Sequence, residues 1–382
     1  MLFPHQKEFI DRNPNATILA WEGGTGKTRA GVEWLRLRTG YRLVVCPKRV
    51  KNKWQKELGD VEATVLTKEE FVKLWRTLPV PTAVIIDEAD EFASPLFIRG
   101  ARSKRSEAMY DYLALAPHAH RLLLTATPVR STPWNMHTLM CFLGVYVDWK
   151  NWQSEFFELA RRPFLPRPAW FPKADWRKTI RTYIDQHCEI VLMKDCVDVL
   201  PPATEVVHKL QQLKPAPELT WHERHRAENG KEKHAAVEEI IKDYRKAVVV
   251  VYYREQLEQM YQALKGRWNV YQMHGGTKDQ EAVIAEAQAD DECVLLVQAS
   301  LVAGYDLDTF SIVVFASMSF KVADHVQMKF RVRRIHNLHP VAYHYLLAGP
   351  CDRGVYTTVM SGKDFVPSEY ASTPEEATEE GS

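Results

Sequence analysis

The feature that most constrains the fold is a glycine-rich run, Gly23-Gly24-Thr25-Gly26-Lys27-Thr28, set between a short β-forming stretch, Thr17–Ala20, and a helical stretch, Thr28–Arg38. A strand, a glycine loop and a helix form the context in which backbone N–H groups turn inward on an anion. The helix then offers its positive N-terminal end to the same anion. In that setting Lys27 reaches β- and γ-phosphates, and the Thr28 hydroxyl is a ligand for Mg²⁺. The strict spacing GxxxxGK[ST] fails at its first position, where Trp21 stands.

A chain that opens this way should continue as alternating strands and helices around a parallel sheet. Leu43–Val45, Thr64–Leu66, Ala83–Ile86 and Arg121–Thr125 supply further strand candidates. The pattern resumes with Ala247–Tyr252, Trp268–Tyr271, Val294–Val297, Ile312–Phe315 and Ala342–Leu347. After the first of these, Leu257, Met260, Tyr261 and Leu264 recur at helical spacing. Between the two halves, residues 146–180 are rich in Trp, Phe, Pro and Arg and show no strand period. They read either as a nucleic-acid surface, where Trp stacks and Arg meets phosphate, or as a satellite core of aromatics. Residues 189–213 read as an extended connector. The expected organisation is therefore an α/β chain in four parts: 1–145, a first parallel-sheet lobe; 146–213, a helical or irregular insert with its connector; 214–366, a second lobe; and 367–382, an acidic disordered tail.

Composition narrows the class. The 382 residues carry a formal net charge of +1, so a uniformly basic nucleic-acid binder is excluded. The last twelve residues hold four Glu and no Lys or Arg. The longest strongly apolar run, Ala247–Tyr253, is far short of the ~20 residues that span a bilayer. The N-terminus lacks the basic and apolar regions of a signal peptide. A soluble cytoplasmic protein without membrane contact is expected. The six cysteines form no CxxC pair and read as buried thiols in a reducing compartment. The segment His222-Glu223-Arg224-His225 lacks HExxH spacing and reads as a solvated turn, not a zinc site.

The second chemical signal is Ala83–Asp90, an apolar strand ending in Asp87-Glu88-Ala89-Asp90, sixty residues beyond Lys27. A parallel strand that emerges at its C-terminal edge delivers these carboxylates beside the phosphate loop. Asp87 can then hold Mg²⁺, and Glu88 can orient and deprotonate an attacking water.

With these residues in place the chain resembles a superfamily II helicase, and within it the Swi/Snf group of DNA-dependent ATPases, in the compact form of prokaryotic or phage-encoded members. Leu2–Gln6 resembles the adenine-reading Q motif, with Gln6 as reader. Trp21–Thr28 resembles motif I, Val44–Arg49 with Trp54 and Glu57 motif Ia, and Asp87–Asp90 motif II. Leu122–Pro128 resembles motif III, with Ala126 where the Swi/Snf group usually has Gly. Ile190–Glu205 resembles the Swi/Snf stretch that leads into the second lobe. His274-Gly275-Gly276 resembles a second-lobe segment, Ala303–Leu307 motif V, and Gln327–Asn337 motif VI. In motif VI, Phe330 replaces a glycine and Arg331 and Arg334 stay in register.

The resemblance implies two RecA-like lobes with ATP and Mg²⁺ between them. It implies Gly304 and Asp306 as nucleotide contacts, and Arg331 and Arg334 as arginine fingers. It also implies a motor that steps along nucleic acid as the lobes open and close. Lys48 and Arg49 with Lys51, Lys53 and Lys56, and Arg99, Arg102, Lys104 and Arg105, lie where related enzymes face the tracked strand. Phosphate contacts of that kind give affinity without sequence information. Ser103 and Ser106 could add neutral phosphate contacts. Duplex DNA is the expected partner, single-stranded DNA is allowed, and RNA is less favoured although motif II spells DEAD. The alternatives are a DEAD-type RNA helicase, or a non-catalytic ATP-gated clamp or motor subunit of a larger complex. A monomer suffices for such a motor, with room for an unidentified protein partner, and the cytoplasm would be that of a host if the chain is phage-encoded.

Overall fold

The structure is a computed structural model. It describes residues 2–97, 103–129, 132–161, 168–196, 202–211, 218–301, 305–333 and 339–367. The acidic tail beyond 367 therefore lies outside the described residues. The chain divides into two compact units, residues 1–198 and 199–382.

In the first unit, β1 (Ala16–Trp21), β2 (Arg42–Cys46), β3 (Thr64–Thr67), β4 (Ala83–Asp87) and β5 (His120–Leu124) form a parallel sheet. The order is β3-β2-β4-β5-β1, with one more strand beyond β1. Their residues are apolar almost without interruption, as strands covered on both faces must be. Ile18, Val45, Ile86 and Leu123 pack into the core on one face, and Leu19, Val44, Ile85 and Leu122 into the core on the other. The period of two in side-chain direction makes this division.

Residues 146–213 hold more regular structure than the sequence suggested. A helix, Trp149–Phe156, leads into an antiparallel hairpin of β6 (Phe157–Ala160) and β7 (Ala169–Pro172). The helix Trp176–His187 follows, and then β8 (Cys188–Val191), which pairs parallel with β1 as the sheet's sixth strand. β9 (Ala203–Lys209) belongs to the second unit. Of the two readings of the aromatic stretch, packing accounts for most of its rings. Trp134 stacks on Trp149 at 4.4 Å, and Trp152, Phe156, Phe157 and Trp176 are buried in the first core.

The second unit repeats the construction with β10 (Lys246–Val251), β11 (Asn269–Met273), β12 (Cys293–Gln298), β13 (Ile312–Phe315) and β14 (Val341–Leu347). With β9 they form an all-parallel sheet in the order β11-β12-β10-β13-β14-β9. All ten strand candidates read from the sequence are strands here. The helix Arg254–Leu264 buries Leu257, Met260 and Leu264 against the sheet.

Of the six cysteines, Cys46, Cys293 and Cys351 are buried, whereas Cys141, Cys188 and Cys196 are partly exposed; all are free thiols. His222–His225 belongs to the helix Trp221–Ala227, with His225 fully buried instead of solvated. No group of three or more potential metal ligands occurs among the described residues. None of their helices is long and apolar enough to cross a membrane.

A buried polar network holds the second unit's last helix, Pro350–Met360. Lys233 Nζ lies 2.7 Å from Asp352 Oδ2 and donates to Asn229 Oδ1 at 2.7 Å and to the Ala316 carbonyl at 2.5 Å. Glu228 accepts from the N–H groups of Cys351 and Asp352 at 3.0 and 2.8 Å, which caps that helix. Gly349 must be glycine, because a Cβ there would sit 2.3 Å from the Glu228 carboxylate. Removing one partner of such a pair strands the other charge in the interior. Lys233→Met should cost about 3–5 kcal/mol of unfolding free energy in chemical denaturation. Lys233→Met combined with Asp352→Leu should cost less than the sum of the two single changes.

Candidate active site

Parallel strands deliver all their C-terminal ends to one edge of the sheet. In the first unit that edge carries the glycine loop after β1, Lys48 and Arg49 after β2, Lys68 after β3, Asp87 and Glu88 at the end of β4, and Thr125 after β5. β1 and β4 are separated only by β5, so their ends are roughly 10 Å apart.

The loop is built on two glycines in the left-handed region, Gly24 and Gly26, each with φ 85°. Gly26 is also required sterically, since a Cβ would lie 2.2 Å from Gln6 Nε2. The Gln6 amide donates to the Gly26 carbonyl at 3.0 Å and accepts from Phe3 N at 2.8 Å. This ties the segment Leu2–Gln6 to the loop. His5 Nε2 lies 2.9 Å from the Thr25 carbonyl, a contact the sequence reading missed although His5 adjoins Gln6. Lys27 Nζ donates to the carbonyls of Trp21 and Glu22 at 2.6 and 3.1 Å. Thr25 Oγ donates to Glu22 O at 2.7 Å. Gly23 and Thr28 are partly exposed, and Thr28 stands in the first turn of the helix Lys27–Arg36, which has no acidic residue in that turn. The cradle is thus glycine-lined, open to a helix N-terminus and provided with one ammonium, which fits a polyphosphate.

At the end of β4 four carboxylates fall within five positions, and three have dedicated partners. Asp87 Oδ2 accepts from Trp54 Nε1 at 2.8 Å. Asp90 accepts from Thr125 Oγ at 2.8 Å and Thr127 Oγ at 3.1 Å, which joins the acidic segment to the Thr-Ala-Thr segment after β5. Glu91 pairs with Lys68 at 2.5 Å and Arg49 at 3.2 Å. Burial pushes the Glu91 carboxyl up, but Lys68 and Arg49 outweigh it and hold it below the usual range. Glu88 is different. Its backbone is left-handed, φ 48° and ψ 54°, shared among described non-glycine residues only with Asn13. Burial, then the charges of Asp90 and Asp87, push its carboxyl up to about 7, against a smaller pull from Lys27. A carboxylate titrating near neutrality beside a phosphate cradle suits a general base. Asp87 and the Thr28 hydroxyl are hard oxygen donors of the kind Mg²⁺ takes alongside substrate phosphates.

The residues expected to meet nucleic acid are differently placed. Lys48 and Lys104 are exposed. Arg49 is held by Glu91, and Arg105 pairs with Glu69 at 2.8 Å. An exposed pair of that kind is worth at most about 1 kcal/mol and does not bar exchange for a phosphate. Ser106 is fully buried and donates to the Phe92 carbonyl, so it is not a surface phosphate ligand. Ser103 caps the helix Lys104–Ala114. Arg99 and Arg102 lie outside the described residues.

In the second unit, Arg331 at the end of the helix Val322–Val332 approaches Asp306, with 3.7 Å between Nη1 and Oδ1. The Leu307 N–H also donates to the Arg331 carbonyl at 2.9 Å, so the segments after β12 and β13 meet here. Gly304 and Arg334 lie outside the described residues. The sequence reading missed Lys68 and Glu91, and the only signal was position: each stands at or just beyond a strand's C-terminal end.

The raised carboxyl of Glu88 has a thermodynamic consequence. A group protonated more readily in the folded than in the unfolded state stabilises the fold below its unfolded pKa. That contribution is lost as pH rises through the folded value. Glu88→Gln should therefore gain on the wild type in thermal melts between about pH 4.5 and pH 7. The gap in Tm should widen across that window and level off above about pH 7, as the folded-state carboxyl becomes fully ionised.

Residues 232–336 match the family model of the helicase conserved C-terminal domain. No curated protein matches the sequence. Among solved structures the chain is similar to S. cerevisiae Dbp5 bound to RNA and ADP BeF3, at 13% identity over 94% of this chain and 87% of that chain, with a TM-score of 0.57. It is also similar to S. cerevisiae Dbp5 bound to Gle1 and IP6, at 13% identity over 94% and 86%, with a TM-score of 0.56. The Sulfolobus solfataricus SWI2/SNF2 ATPase core in complex with dsDNA aligns at 16% identity over 96% and 93%, with a TM-score of 0.43, too loose a superposition to argue from. These likenesses show a fold of two RecA-like parallel-sheet units, the second of which contains a match to the helicase conserved C-terminal domain.

Proposed function

We propose that this chain is a nucleic-acid-dependent ATPase that moves along duplex DNA in the cytoplasm. The observation that carries the ATPase reading is Glu88, strained, near-neutral in pKa and set two strands from a glycine cradle. In this reading the loop N–H groups and Lys27 bind the β- and γ-phosphates, with Gln6 beside the loop as reader of the base. Thr28 and Asp87 would hold Mg²⁺, which when bound supplies charge neutralisation at the phosphates. Glu88 takes the proton of the attacking water, and Arg331 with Arg334 offsets the negative charge that grows in the transition state. Gly304 and Asp306 are proposed as further nucleotide contacts. Lys48, Arg49, Arg102, Lys104 and Arg105 are proposed to bind the nucleic-acid backbone.

The duplex-DNA reading rests on the Swi/Snf-like motif surroundings. A second reading, an RNA-dependent ATPase, is favoured by the literal Asp-Glu-Ala-Asp of motif II and by the likeness to Dbp5, a structure of which is bound to RNA. ATP turnover with duplex DNA, single-stranded DNA and RNA separates them. Stimulation by duplex DNA is expected, and stimulation by RNA alone would replace the DNA assignment. No turnover with any of the three would favour an ATP-gated clamp or a motor subunit that needs a partner.

Glu88→Gln should lower kcat by about 10²–10⁴-fold while ATP binding persists, as loss of a general base does. Arg331→Ala should lower kcat by about 10³-fold or more with nucleotide affinity little changed, read by single-turnover hydrolysis.

A further inference from the structure

Resting on that functional reading, we propose that Lys68 and Glu91 form a relay that reports the occupancy of Arg49 by a nucleic-acid phosphate to Glu88. The inference concerns regulation of the same site, and it starts from strain. A residue with a side chain held at φ 48° is strained, and its surroundings must hold it there. Three contacts do so. Glu88 N donates to Asp87 Oδ1 at 3.0 Å, and the Glu88 carbonyl accepts from Lys68 Nζ at 3.2 Å and from the Glu91 N–H at 3.0 Å.

Lys68 has little choice of partner. Its side chain is 3% exposed, so water cannot replace what it loses. Its direction is set by a capping box, in which Thr67 Oγ accepts from Glu70 N and Glu70 Oε2 from Thr67 N, at 3.1 and 2.7 Å. Its ammonium is divided between the Glu88 carbonyl and Glu91 Oε2. The other oxygen of Glu91 accepts from Arg49 Nη2 at 3.2 Å. One carboxylate thus serves two cations, one enclosed and the other, Arg49, 28% exposed at the end of β2. The buried Nε of Arg49 has no hydrogen-bond partner, so the guanidinium is not saturated by the protein.

A phosphate that takes Arg49 competes directly with Glu91 for the guanidinium. Glu91 then has Lys68 as its remaining cation, the share of that ammonium available to the Glu88 carbonyl changes, and the strained main chain responds. The redistribution acts on a backbone that is already strained, so a small change in hold is felt there. Lys68 and Glu91 are positioning residues in this scheme; neither touches the reacting atoms.

The test measures ATP turnover with and without nucleic acid on the full chain, together with KM for ATP and nucleic-acid affinity. Glu91→Gln should lower the ratio of stimulated to basal kcat by about tenfold. KM should stay within about twofold and nucleic-acid affinity should hold or tighten, since Arg49 loses its internal competitor. Lys68→Gln should show the same loss, and Lys68→Arg, which keeps charge and donors, should restore most of it. If either folded uncharged variant keeps the wild-type ratio, the relay is overturned and the functional reading stands. If the wild type itself shows no stimulation by any nucleic acid, both are overturned.

Discussion

Four carboxylates crowd the end of one buried strand, and the first unit is arranged around that fact. Asp87, Glu88, Asp90 and Glu91 repel one another, and Asp87 and Asp90 are buried. Three of them are therefore assigned partners from different neighbours. An indole from the helix after β2 takes Asp87, two hydroxyls after β5 take Asp90, and two cations after β2 and β3 take Glu91. The remainder falls on Glu88, which is turned out of the strand in a left-handed conformation with its proton affinity raised. A structural difficulty and a chemical capacity are here the same feature.

The glycine loop shows the complementary logic. Its glycines are demanded by backbone angle and by the closeness of Gln6, not by general flexibility. The Gln6 amide spans two backbone groups, so the segment before the first strand is welded to the loop it helps to form. In the second unit charge is used for construction instead. Lys233, Asp352 and Glu228 are enclosed and mutually satisfied, and they anchor the helix that follows β14.

Much of this was legible in the residues. Most of the ten strands read from the sequence are largely apolar runs, readable because burial on both faces leaves few polar interruptions. The glycine loop and the acidic strand end were readable because each is a run of neighbours in sequence. β8 and β9 were not. Cys188–Val191 contains Glu189, which finds Arg12 at 2.5 Å, and β9 is exposed along almost its whole length. Each is an edge strand whose identity comes from the strand beside it. The hairpin β6–β7 was hidden in a stretch whose composition spoke of aromatics more than of period. Ser106 was misread as a surface hydroxyl because helix position alone does not tell which face is covered.

By itself the sequence determined the α/β class and the parallel-sheet construction of both lobes, since each rests on local pattern. Only the tertiary structure decided which cations meet the acids at the end of β4. Arg49, Lys68 and Glu91 are separated by 19 to 42 positions, and nothing in their local context links them. A parallel sheet collects the C-terminal ends of strands from distant parts of the chain on one edge. Side chains that are strangers in sequence become neighbours there, and their electrostatic coupling exists only once that edge is assembled.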